Sequence, residues 1–113
     1  MKLPELLERQ AIKLLDRFCA EAADNPRQAR QLHYRIEGQQ IHLFELRGKW
    51  CQPEQQQTLP MAQLRYVSQL NQWTLHHQNG SHWQLYLNVN PSLELGKLLT
   101  AISLDPMGYF WKK

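Results

Sequence analysis

Cysteine is scarce in this chain. Cys19 and Cys51 are the only two, and their separation fits neither a zinc-ligand spacing nor a disulfide framework. Two unpaired thiols suit a reducing compartment, so a cytoplasmic location is expected. Glycine is equally sparse, with five residues scattered singly, which cannot cradle a phosphate. No Gly-x-Ser-x-Gly elbow and no His-Glu-x-x-His pair occurs, so the familiar hydrolase and zinc-protease signatures are missing. No apolar run reaches membrane-span length, and the charged stretch Met1 to Arg17 has no signal-peptide core. No membrane association, cofactor or metal is expected from these absences.

What is present describes a globular domain. Hydrophobic residues make up 42% and charged residues 20% of 113 positions, enough apolar material for one core without staples. A single domain over residues 1–113 is therefore expected. The net charge of +3 is unevenly spread, with the basic excess in residues 25–65, where six Lys/Arg meet three Asp/Glu. That is a weak footprint for an anionic partner. At the carboxyl end stands Asp105-Pro106-Met107-Gly108-Tyr109-Phe110-Trp111-Lys112-Lys113. Three consecutive aromatics carry a large apolar area, and a terminus frays unless tied down, so a docked aromatic tail over 105–113 is expected.

Periodicity divides the chain. Leu3, Leu7, Ala11, Leu14, Leu15, Phe18 and Ala22 recur at helical spacing and predict a helix over 3–23, stopped by Asp24-Asn25-Pro26. Cys19 falls on its apolar stripe, as a small hydrophobe. Five strands are expected within 30–88. Leu32, Tyr34 and Ile36 alternate with polar residues up to Gly38-Gln39, a pair suited to a type II′ turn, which pairs Ile36 with Ile41 and Tyr34 with Leu43. Phe44 and Leu46 then fall on the opposite face from Ile41 and Leu43, so the second strand is central or covered. Two prolines and a glutamine run predict an irregular connection over 48–60. Ala62, Leu64 and Tyr66 read as the third strand.

Around Asn79-Gly80 a two-residue loop would place Trp73 and Leu75 on one face and Trp83 and Leu85 on the other. A three-residue loop with Gly80 left-handed aligns all four, pairing Trp73 with Leu85 and Leu75 with Trp83, and is the expected geometry. Asn90 and Pro91 open a second helix over 91–104, ended by Asp105-Pro106. The fold class is thus α+β, a five-stranded antiparallel meander sheet with N-terminal and C-terminal helices packed on one face. Trp73, Trp83, Phe18 and the tail aromatics are expected in the core. The alternative is a tryptophan-lined pocket between helices and sheet that holds an apolar ligand.

Several residues resemble a known family together. They are Leu43-Phe44-Glu45 with Arg47 and Trp50, Pro60, Ala62 and Arg65-Tyr66, then Trp73-x-Leu75, Trp83, Tyr86 and the terminal Asp105-Pro106-x-Gly108-x-Phe110-Trp111. This pattern is similar to the bacterial domain-of-unknown-function family 3024 over nearly the whole chain. Gly48 departs from it where a proline is expected after the arginine, which implies a looser turn. The resemblance implies a soluble bacterial protein and brings no catalytic or ligand residue with it.

Under the expected registers a polar and aromatic set faces away from the helices: His33, Arg35, His42, Phe44, Arg65, His76, His82 and Tyr86. His76 and His82 come out opposed across their hairpin, half a zinc shell with no third ligand. Arginines interleaved with aromatics on an exposed sheet suit single-stranded nucleic acid, although the RNA-recognition-motif signature is absent. A covered face is the competing account, with Phe44, Leu46 and Trp50 in a homodimer or partner interface. Glu37 and Glu45, on neighbouring strands, are the only carboxylate pair to weigh for acid/base work, and solvated strand carboxylates are far commoner. The function expected is a non-enzymatic binding or protein-interaction domain of unknown partner, with a nucleic-acid-associated protein as the alternative.

Overall fold

The computed structural model describes residues 2–26, 30–48 and 57–111. The element order is α1 (Glu5–Ala23), β1 (Gln31–Glu37), β2 (Gln40–Arg47), β3 (Gln57–Val67), β4 (Gln72–Asn79), β5 (His82–Leu85) and α2 (Leu95–Leu104). The strands form one antiparallel sheet in the order β1-β2-β3-β4-β5, so the fold is an α+β meander with a helix at each end. Among the described residues no helix is long and apolar enough to cross a membrane.

α1 follows Pro4, carries Glu5 and Glu8 at the positive end of its dipole, and buries Ala11, Leu15 and Phe18. That stripe packs with Ile41, Leu43, Ala62, Leu64, Trp73 and Leu75 of the sheet and with Leu95, Leu98, Leu99 and Ile102 of α2 in one cluster. Both helices therefore cover the same, inner face.

The first hairpin follows the alternation: Ile36 pairs with Ile41 and Tyr34 with Leu43. Gly38 takes φ of 57°, as the first turn position of a type II′ loop requires. β3 starts earlier than the sequence suggests, because Gln57 to Pro60 already pair with β2. Pro60 has no N–H for the ladder, and the register shift beside it between Leu43 and Phe44 is the bulge that admits proline in a central strand. Residues 49–56 of the expected irregular connection, including Trp50 and Cys51, lie outside the described residues.

The β4–β5 hairpin overturns the three-residue loop. Asn79 pairs with His82 and Gln78 with Trp83, leaving the two-residue turn Gly80-Ser81 with Gly80 at φ of 64°. Trp73 pairs instead with Tyr66 of β3, and Leu85 with His76. Trp73 and Leu75 thus face the helices, while Trp83 and Leu85 face away. The apolar residues do not share one face because Tyr86, His77 and the tail, rather than Trp83, complete the inner face at this end.

α2 also begins later than expected. Ser92 exchanges two backbone hydrogen bonds with Trp73 (2.7 and 3.1 Å), which holds the chain extended until Glu94. The helix ends at Asp105 in the left-handed region, and that carboxylate then accepts the backbone N–H of Tyr109, Phe110 and Trp111 at 2.8, 3.1 and 3.0 Å. Gly108, at φ of 70°, completes this hook. Phe110 is fully buried, Trp111 stacks on Phe18 with centroids 6.3 Å apart, and its Nε1 donates to Ile102 O. Tyr109 is the exception, lying partly exposed over the His77 ring at 4.4 Å.

Candidate functional site

The face turned away from the helices is built from one residue in two along each strand. Its central row crosses the whole sheet: Arg35 opposite His42, His42 opposite Gln63, Gln63 opposite His76, and His76 opposite Leu85. A second row begins with His33 and Phe44, whose rings stack 5.9 Å apart at 18°. Arg65 pairs with Gln40 on one side and Thr74 on the other. Among the described residues neither helix lies on this face. Even so Gln63 is only 4% and His76 8% exposed. Part of the cover is Trp83, whose indole reaches back from the edge strand to within 6.4 Å of the His42 ring.

The polar groups under this cover are organised. Arg65 Nε donates to Gln63 Oε1 at 2.7 Å, and Gln63 Nε2 donates to Gln40 Oε1 at 3.4 Å. The Thr74 hydroxyl donates to Arg65 O at 3.4 Å and lies 2.9 Å from His76 Nε2. A hydroxyl has one proton, so Nε2 carries the ring hydrogen and His76 Nδ1 remains an acceptor. That buried Nδ1 has no hydrogen-bond partner among the described residues. Burial, with Arg65 and His77 nearby, lowers the His76 pKa to about 4, so the ring is neutral near pH 7. His42 is also lowered, first by burial and then by Arg35 and Arg65, against Glu37, whose carboxylate lies 3.9 Å away. Arg35 holds the same Glu37 at 2.6 Å.

His33, Arg35, His42, Phe44, Arg65 and His76 therefore share this face, as expected. His82 and Tyr86 do not. His82 pairs with Asn79 at the hairpin tip, on the face opposite to His76, so the two histidines cannot share an ion. Tyr86 is buried on the helix side, its ring edge-on to His77, Tyr109 and Phe110. Both corrections follow from the two-residue turn, which inverts every side chain of β5 relative to the three-residue alternative. Gln63 also lies there, as its register implies, whereas Trp83 was expected on the other face and Thr74 was not considered. The strict alternation of β4 was the signal for Thr74, but nothing local assigns Trp83 to this face.

Glu37 and Glu45 are separated as well. Glu37 lies on the outer face, whereas Glu45 is buried among Arg30 (3.2 Å) and Arg47 (3.0 Å), with the Arg30 guanidinium 5.2 Å above the Trp111 ring. That arrangement ties the β2 end to the tail and offers no acid/base pair. Among the described residues no group of three or more His, Cys, Asp or Glu could hold a metal ion.

The chain belongs to the family described as Domain of unknown function (DUF3024), which it matches over residues 3–112. No curated protein and no solved structure matches it. The family description carries no activity, so the site stands on its own geometry.

Proposed function

We propose that this member of the family is a non-enzymatic binding domain of the bacterial cytoplasm whose protein partner, in the simplest case a second copy, sits on the helix-free sheet face. One observation carries the reading: among the described residues His76 Nδ1 is buried with no hydrogen-bond partner, on a face that neither helix covers. Buried polar groups in native proteins are nearly always paired, and an exception asks for a donor from elsewhere. The half-buried Phe44 and Trp83 on the same face supply the apolar area that an interface core needs.

A single-stranded nucleic acid is the second reading. It is favoured by Arg35 and Arg65 standing on the same face as the His33–Phe44 stack, since stacked bases and neutralised phosphates use such groups together. Sedimentation across a concentration series and anisotropy of a labelled single strand separate the two. The expected result is a concentration-dependent mass that Phe44→Glu or Trp83→Glu abolishes, with no anisotropy change at roughly 50 mM salt. Oligonucleotide binding that weakens steeply towards about 200 mM salt, with a slope flattened by Arg35→Ala and Arg65→Ala, would transfer the site to nucleic acid.

A further inference from the structure

On the other side of the molecule the two helices do not close over the sheet completely. The Ser92–Trp73 backbone bridge carries residues 93–96 across the end of the sheet, facing α1. A groove of about 540 Å³ remains between them, with Trp73 at its base. One wall is Leu7, Ala11 and Leu14, a stripe at i, i+4 and i+7, and the small Ala11 leaves the space between the two leucines. The other wall is Leu93, Leu95 and Gly96. At Gly96 a Cβ would find no atom within 4 Å, so the groove is open there. It continues along the helix seam as a second groove of about 410 Å³ that shares Leu14, Arg17, Glu94 and Gly96 with the first and leads on to Phe18 and Leu99. The first groove is mainly apolar, and its volume is that of a small-molecule site.

The charged groups on its rim are Lys13, Arg17 and Glu94, with Glu21 and Lys97 added along the second groove. Lys13 and Arg17 stand one turn apart on α1 at the groove edge, and neither has an ion-pair partner among the described residues. The facing Glu94 is held by Lys97 at 3.6 Å, so Lys13 and Arg17 leave the rim of the first groove net positive. We infer that this groove binds a single-chain amphiphile with an anionic head, its chain lying over Trp73 and its head at Lys13 and Arg17. The apolar walls account for the chain, since each buried methylene contributes favourably, and the unpaired cations account for the head.

The test is titration calorimetry of the whole chain with monomeric dodecanoate and dodecyl phosphate, and with dodecyltrimethylammonium as the cationic counterpart. Both anions are expected to bind at least ~10-fold more tightly than the cation, and dodecanoate at least ~10-fold more tightly than octanoate. Amide shifts on dodecanoate binding should centre on Ala11 and Gly96. Lys13→Gln with Arg17→Gln should remove the preference for anions. Gly96→Leu should fill the groove and abolish binding while the protein stays folded, because leucine favours a helix over glycine. Equal affinity for the cation, absent binding of both anions, shifts centred on the outer sheet face, or undiminished binding by a folded Gly96→Leu variant would each overturn the inference.

Discussion

His76 shows how much one side chain on a sheet face can depend on its surroundings. Its ring is desolvated between β3 and β5, has Arg65 diagonally across on β3 and His77 next to it, so the neutral form is held down to about pH 4 against an ordinary value of 6.5. The unfolded chain takes up that proton first as pH falls. The contribution of His76 to stability is therefore complete above about pH 6.5 and lost as the pH drops towards 4. His42, lowered as well, acts in the same direction. Urea midpoints measured between these two pH values should fall less steeply in His76→Gln than in the native sequence. Equal slopes would show that the ring is solvated. Glu45 is a different case at the same scale: it sits on the inner face among apolar neighbours, and the guanidinium groups of Arg30 and Arg47 make such a carboxylate tolerable there.

Among the elements, the tail is the one with the least regular structure and the most specific attachment. A helix end leaves carbonyls and a chain end without partners, and Asp105 turns that weakness into a hook by receiving three successive N–H groups. Phe110 is then driven into the core at 1% exposure, and Trp111 caps α1 and α2 together. Asp105→Ala should cost about 2 kcal/mol by leaving these donors to water and loosening the tail. Phe110→Ala should cost about 3–5 kcal/mol through the cavity it leaves. Chemical denaturation checks both, and an unchanged midpoint in either variant would show that the tail is not part of the cooperative fold. The tail was legible in the sequence because three adjacent aromatics have few ways to avoid water. Its cap was not, because a carboxylate that bonds N–H groups four to six residues on depends on the path the chain takes.

At the scale of the molecule, the meander places β2 and β3 in the middle of the sheet, with β1 and the four-residue β5 as edges. Hydrogen exchange should be slowest at Ile41, Leu43 and Leu64, which are fully buried between paired neighbours, and fast in β5, where one ladder is the only support. Protection in β5 equal to that in β3 would contradict this order. The same layout decides what could be read in advance. The sequence by itself determined α1, the first hairpin and the antiparallel α+β plan, because each of these follows from a local contrast: an apolar stripe against charges, or an alternation closed by a glycine turn. The outer positions of His33, Arg35, His42, Phe44 and Arg65 came with that register. Only the tertiary structure decided the β4–β5 register, the late start of α2 and the groove at Trp73. β4 buries Trp73, Leu75 and His77 on one face and His76 on the other, so its own pattern prefers neither parity for the partner strand. What selects the parity is the tail, which brings Tyr109 and Phe110 against Tyr86 and His77 and leaves Trp83 to the opposite face.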